Sequence, residues 1–339
     1  MGHLAPHDRI ALDTEADSLH CYFEKLCLIQ ISLPDEHVLI DPLAGISLDP
    51  LYQSLKGKEL ILQGADFDLR LLQRAGGMEA ERVFDTMIGA RLTGKTEFSL
   101  AALVLHYFGI TLVKGSQKEN WAKRPLSEKM INYAMNDTRY LLEIAGKLEH
   151  ELRSLGRWDW FLQSCTKAVQ LARITRQRDV DNLWRISGSV DFRGRAAAVL
   201  RALWTWRDEE AKAVDRPAFH ILRNEELLES ARRFDAGENV FIRHLSGGRA
   251  KRFFETAQKA MALPESEWPV FVRKLRTRPT PEEEKRFHAL KKKRDEAAAA
   301  LQLDPSLIAP KATLESLAAD AQTAAERLLP WQQAILEPF

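Results

Sequence analysis

The amino-acid sequence predicts an α/β or α+β domain followed by an all-helical region, and three observations carry that expectation. Short β-like apolar runs crowd the stretch before Leu62, the apolar spacing from Ala65 onward is almost wholly helical, and strand patterns do not return after Gly156. With 339 residues the chain exceeds one ordinary domain, so two or three are expected.

Residues 9–12, 26–33 and 38–40 read as strands, separated by polar or turn-rich pieces such as Pro34-Asp35-Glu36, which suggests an antiparallel meander. A fourth run, 60–62, leads into 65–76, where Ala65, Leu69 and Leu72 recur at helical spacing. Helices are expected over 85–92, over 99–108 with Ser99 as N-cap, and from Ser127 to about Leu152 with Glu128 in the first turn. Together these predict a mixed sheet covered by helices.

Beyond Gly156 two segments resemble each other. Arg207-Asp208-Glu209-Glu210-Ala211, Asp215-Arg216-Pro217 and Leu227 are echoed by Arg294-Asp295-Glu296-Ala297-Ala298, Asp304-Pro305 and Leu314, at a spacing of 87 to 89 residues. The reading is a duplicated small helical unit: a long helix stopped at an Asp/Pro turn, then a shorter one. Trp204, Trp206 and Phe219 are expected in its core.

Formal net charge is +1, but residues 1–150 hold 16 Lys+Arg against 21 Asp+Glu, whereas residues 243–294 hold 15 basic side chains against 6 acidic. An acidic half joined to a basic half suits a protein that gathers metal ions in one place and a polyanion in another. Cys21, Cys27 and Cys165 are odd in number and lack metal-ligand spacing, so neither a disulfide framework nor a zinc site is implied. His20, His220 and His244 likewise have no partner at ligand spacing and read as surface or loop residues. No basic-then-apolar leader opens the chain, and no run approaches the roughly 18 apolar residues of a spanning helix, so a cytoplasmic protein without a membrane segment is expected.

Asp13 and Glu15 lie two apart on the first strand, so both side chains share a face. Two carboxylates so close repel unless a cation sits between them, and hard divalent ions take oxygen ligands. Tyr133 and Asp137, four apart in a helix, can address one point. Asp66 and Asp68 both fall at the start of the helix after strand four, where the helix dipole favours acids, and spacing alone does not choose between them.

These residues carry a resemblance. Ile10-Ala11-Leu12-Asp13-Thr14-Glu15 with Leu26-Cys27-Leu28-Ile29-Gln30-Ile31-Ser32 resembles the first motif of the DEDD exonucleases and the strand that follows it. Gln63-Gly64-Ala65-Asp66-Phe67-Asp68 resembles the second motif, with Asp68 as the metal-related acid, and Tyr133-Ala134-Met135-Asn136-Asp137 fits the third in the Tyr-x-x-x-Asp form of the DEDDy branch, to which the ribonuclease D family belongs. Lys114, Trp121 and Arg124-Pro125-Leu126 look like that family's lead-in, and the duplicated helical unit is similar to the HRDC domain, a nucleic-acid-binding module.

The resemblance implies a ribonuclease H-like mixed five-stranded sheet with helices, followed by all-α HRDC-type domains: exonuclease 1–155, helical linker 156–190, HRDC 191–270 and a second HRDC-like unit 280–339. It further implies 3′→5′ hydrolysis of RNA by a two-metal mechanism that releases nucleoside 5′-monophosphates. Asp13, Glu15, Asp68 and Asp137 would hold two Mg²⁺ or Mn²⁺ ions, and Tyr133 would orient the attacking water. The expected partner is a single-stranded RNA 3′ end, transfer RNA precursors included, with neither a membrane nor an obligate protein partner. Lys114, Arg124 and Gln63 are expected to touch nucleic acid, although the family often has His where this chain has Gln63, a change that bears on loop packing or substrate contact.

Three competing readings are set against this. The same site could edit DNA, since nothing in the motifs reads a ribose 2′-hydroxyl; or the chain could bind nucleic acid without cutting it. The third is a phosphate-binding loop, because residues 89–96, Gly-Ala-Arg-Leu-Thr-Gly-Lys-Thr, satisfy the Walker A pattern. Such a loop must leave a buried strand and enter a helix, yet Gly89 falls inside the helical pattern 85–92.

Overall fold

The computed structural model describes residues 2–113, 115–174, 179–270, 278–320 and 326–337. Its sheet is the expected mixed one of five strands, in the order β3-β2-β1-β4-β5. The strands are β1 (Arg9–Ala16), β2 (Leu26–Ser32), β3 (His37–Ile40), β4 (Glu59–Leu62) and β5 (Arg82–Asp85). β1 to β3 form the antiparallel meander, and β4 and β5 add in parallel to β1. β5 has no counterpart in the apolar pattern: it is four residues long, begins at an exposed Arg82 and runs directly into a helix. β1 also continues past Leu12 to Ala16, which puts Asp13 and Glu15 within the strand.

Around the sheet lie α1 (Asp49–Leu55), α2 (Asp66–Gly76), α3 (Thr86–Leu92), α4 (Leu100–Phe108), α5 (Glu128–Arg139), α6 (Leu141–Ser154) and α7 (Trp158–Arg173). The helix expected over 127–152 is two helices, α5 and α6, that meet at Tyr140 (φ −99°, ψ −7°). Ser99 and Ser127 cap α4 and α5 as expected, each hydroxyl accepting from the backbone N–H three residues on. Gly89 is buried in the middle of α3 against Leu148 and Phe161, so residues 89–96 are no phosphate cradle. Lys95 forms an ion pair with Glu151.

The remaining helices are α8 (Gly194–Ala213), α9 (Ala218–Ile221), α10 (Asn224–Asp235), α11 (Gly247–Met261), α12 (Pro281–Leu301), α13 (Pro305–Ile308), α14 (Lys311–Ala319) and α15 (Pro330–Leu336). The duplication is visible as one constant offset of 87 residues. Arg207 donates to the carbonyl of Leu222 and Arg294 to that of Ala309, while α9 and α13 are both four residues long. Asp215 and Gln302, the two non-glycine residues with positive φ among those described, stand at the same offset. Pro217 precedes α9 whereas Pro305 opens α13, so the prolines are not equivalent; pairing them gives 88, and pairing Asp215 with Asp304 in place of Gln302 gives 89. Trp206 is buried in the first copy as expected and Trp204 partly so, but Phe219 is about half exposed.

The chain divides into two compact units at places other than those expected. One comprises Met1–Ala16, Lys25–Thr175 and Thr277–Phe339; the other comprises Asp17–Glu24 and Arg176–Arg276. Two packing relations accompany this division. α7, placed in the linker, packs against β5, α2 and α3. The second HRDC-like copy shares a core with the sheet domain, in which Leu290, Ile308, Leu314 and Trp331 are buried together with Leu148 and Phe161. Arg157 ties the two by donating to the carbonyls of Leu92 and Leu301. The three cysteines are buried. Among the described residues no helix is long and apolar enough to cross a membrane.

Candidate active site and metal centre

The site forms where β1 ends beside the chain leaving β4. Parallel pairing of Ala11 with Ile61 brings the C-terminal part of β1 level with the turn that opens α2, the edge at which open α/β sheets present ligand groups. Gly64 makes that turn at φ +77°, a conformation an L side chain resists. Its N–H and that of Ala65 donate to the buried Asp85 carboxylate, which also caps α3 by accepting from Met87 and Ile88. Asp85 thereby fixes the first turn of α2, on which Asp68 lies.

Strand alternation distributes the acids. Asp13 and Glu15 face α5; Thr14, between them, faces the other way and meets Asp68, which accepts from the Thr14 N–H at 3.1 Å and from its hydroxyl at 2.5 Å. Asp68 is buried beside Thr14, whereas Asp66 is exposed and pairs with Arg70. α5 crosses β2, held by a 2.6 Å hydrogen bond between Ser32 and Thr138, and lowers Asp137 onto the β1 pair. Carboxylate oxygens of Asp13, Glu15 and Asp137 lie within 4.8 Å of one another, the only such group of three or more potential ligands among the described residues.

Four acids from three distant segments thus converge, Asp68 buried and Asp13, Glu15 and Asp137 partly so, and their electrostatics follow. Burial, then the charges of Asp68, Asp137 and Glu15, hold Asp13 well above the ordinary carboxylate range. Glu15 is pushed up to about 9 by burial and by Asp137 and Asp68. Asp137 is raised to about 7 and Asp68 to about 6, burial being the largest cause for both, with the Tyr133 phenol and the Thr14 hydrogen bonds pulling the other way. Carboxylates that cannot all ionise beside each other suit a place where hard divalent cations supply the missing positive charge, and an all-oxygen donor set matches Mg²⁺ or Mn²⁺.

Tyr133 stands one helical turn before Asp137, its phenol near enough to pull that carboxylate's pKa down. Burial and the Asp137 and Glu15 charges push its phenol above its ordinary value, so it keeps its proton near neutral pH. Gln117 lies beside this phenol and pulls its pKa the other way, and the sequence has no signal for it: an isolated polar residue in a loop belongs to no motif or period.

Two expected nucleic-acid contacts have other work. Arg124 donates twice to Asp41 and to the carbonyls of Cys27, Trp121 and Lys123, so its guanidinium is spent inside the fold. Gln63 donates to the Phe98 carbonyl at 2.8 Å and accepts from the Thr86 hydroxyl at 2.5 Å, which makes it a packing residue. Lys114 lies outside the described residues.

With this geometry in hand, comparisons with known proteins agree. Residues 2–153 match the family model for a 3′-5′ exonuclease, and residues 196–247 match that for an HRDC domain. Ribonuclease D of Sphingobium indicum is 33 % identical over 241 residues, covering 67 % of this chain and 60 % of that protein. Ribonuclease D of Gluconacetobacter diazotrophicus is 32 % identical over 271 residues, 77 % of this chain and 68 % of the relative. The chain thus spans about 60 to 70 % of the length of these curated relatives. The crystal structure of Escherichia coli RNase D, described as an exoribonuclease involved in structured RNA processing, superposes with a TM-score of 0.70 at 27 % identity, over 97 % of this chain and 88 % of that one.

Proposed function

The chain belongs to the ribonuclease D family, and we propose that it is a cytoplasmic 3′→5′ exoribonuclease that removes nucleoside 5′-monophosphates one at a time from single-stranded RNA 3′ ends, transfer RNA precursors among them. The observation that carries this reading is the meeting of Asp13, Glu15 and Asp137 oxygens within 4.8 Å, with Asp68 bound to Thr14 beside them.

Asp13, Glu15, Asp68 and Asp137 are the residues that would hold two divalent cations, Mg²⁺ or Mn²⁺. Such ions, when bound, acidify an attacking water and offset charge on the phosphoryl oxygens. The protein's own contribution is positional. Thr14 and Asp85 keep the first turn of α2, and with it Asp68, in register with β1. The Ser32–Thr138 bond keeps Asp137 over the same point. Tyr133, protonated and half-buried, orients a water by hydrogen bonding and does not take its proton. The two HRDC-like copies, with the basic excess of residues 243–294, would grip the phosphate backbone in a salt-dependent way.

The test is to incubate the full chain with RNA and DNA labelled at the 3′ or the 5′ end, in Mg²⁺, Mn²⁺ or EDTA. Mononucleotide release from 3′-labelled RNA and a one-nucleotide ladder from 5′-labelled RNA, both stopped by EDTA, are expected. Cleavage only of DNA, or metal-independent cleavage, would overturn the proposal.

A further inference from the structure

Gln30 sits on β2 directly opposite Asp13 on β1. Side chains of opposed residues in an antiparallel pair project from the same face with Cβ atoms about 5 Å apart. On that face, two residues on, Ser32 is bonded to Thr138; two residues back, Leu28 packs in one cluster with Met130 and Ala134. Gln30 therefore lies beneath the turn of α5 that carries Asp137, flanked by Asp13 on the neighbouring strand. It is fully buried, yet neither its amide nitrogen nor its amide oxygen has a hydrogen-bond partner among the described residues.

An amide withdrawn from water with both ends unbonded is a standing cost, and leucine or methionine of similar volume would fill the same place without it. Gln63 shows the contrast, since both ends of its amide are bonded within the fold. The donor beside Asp13 is also of a suitable kind. A neutral N–H can hold one carboxylate oxygen without bringing a positive charge that would compete with a cation, and the end of a glutamine side chain turns easily about its last torsion.

We propose that Gln30 is a positioning residue for Asp13: its amide N–H donates to the Asp13 carboxylate when that group turns to a divalent cation, and so selects the oxygen that faces the metal. This rests on the metal-dependent reading of the site.

The test is a thermal-shift titration of the full chain with Mn²⁺ alone, without RNA, comparing wild type, Gln30→Leu, Gln30→Met and Asp13→Asn. Both Gln30 variants are expected to melt, metal-free, at or above the wild-type temperature, and to need about tenfold more Mn²⁺ for half of the metal-induced shift. At fixed low Mn²⁺ their kcat on RNA should fall while KM holds, and excess Mn²⁺ should recover it; a purely structural role would move the metal-free midpoint and not the Mn²⁺ requirement. Wild-type Mn²⁺ half-saturation in both Gln30 variants, with the shift lost in Asp13→Asn, overturns the Gln30 assignment and leaves the metal site standing. A wild-type shift in Asp13→Asn overturns the metal site itself and the assignment with it.

Discussion

Thr14 binds Asp68 twice, its backbone N–H and its hydroxyl both donating to the same carboxylate oxygen, at 3.1 and 2.5 Å. This joins the strand that carries Asp13 and Glu15 to the helix that carries the fourth acid. Thr14→Val keeps the side-chain shape and removes the hydroxyl, leaving a buried carboxylate with one donor fewer. A loss of about 1–3 kcal/mol in urea unfolding and a lowered rate of RNA hydrolysis are expected, with Thr14→Ser restoring both. Unchanged stability in Thr14→Val would show that the hydroxyl bond contributes nothing.

Asp13→Asn and Asp137→Asn should abolish hydrolysis while RNA binding persists. In the metal-free protein each should raise the melting temperature, because one of four crowded, partly or fully buried carboxylates is neutralised. Wild type should gain stability on adding Mg²⁺ or Mn²⁺, and the variants should gain little. Calorimetry with and without EDTA measures both effects.

Tyr133→Phe should slow single-turnover hydrolysis roughly ten- to a hundredfold, the worth of one charge-assisted hydrogen bond of about 1.5–3 kcal/mol. That is less than the loss in the Asp13 variant. Gln117→Ala, which removes a neighbour of the same phenol, should act in the same direction and more weakly. A Tyr133→Phe enzyme as inactive as Asp13→Asn would give the phenol a larger part than orientation.

The Asp41 carboxylate is held below its ordinary value of 3.8, first of all by its hydrogen bond with Arg124. A carboxylate lowered in the folded state stabilises the protein above its unfolded pKa, and that contribution fades as pH falls through the lowered folded value. Asp41→Asn should therefore unfold at a lower urea concentration than wild type at pH of about 7, with the gap closing in acid below about pH 4. Arg124→Ala should be destabilised in the same way at neutral pH, with the salt dependence of RNA affinity unchanged. A reduced salt slope would return Arg124 to the RNA-binding surface.

Trp331 of α15 stacks on Trp160 of α7, ring centroids 4.9 Å apart and 13° from parallel. Trp331→Ala should cost about 3–5 kcal/mol and lower the melting temperature of the nuclease unit. For the same reason, cutting the chain after about residue 190 removes side chains from the nuclease core as well as a nucleic-acid grip. Circular dichroism melts of the truncated and substituted proteins measure this.

Sequence alone determined what is local. Alternation placed Asp13 and Glu15 on one face of β1, helical spacing stacked Tyr133 over Asp137, Ser99 and Ser127 announced their helices, and the Arg207 and Arg294 segments declared a duplication. Each is written within a single element, where period and caps are set by backbone geometry. Resemblance to the DEDD motifs then supplied the association of the acids, which no spacing contains. Tertiary structure decided what depends on pairing between distant segments: Asp68 bonded to Thr14 while Asp66 pairs with Arg70, Arg124 and Gln63 spent inside the fold, Gln30 beside Asp13, and α12 to α15 closing the core of the nuclease unit. A side chain's partners come from strands and helices tens of residues away, and the register and docking that bring them together are chosen by the summed burial of the whole fold, which no local pattern records.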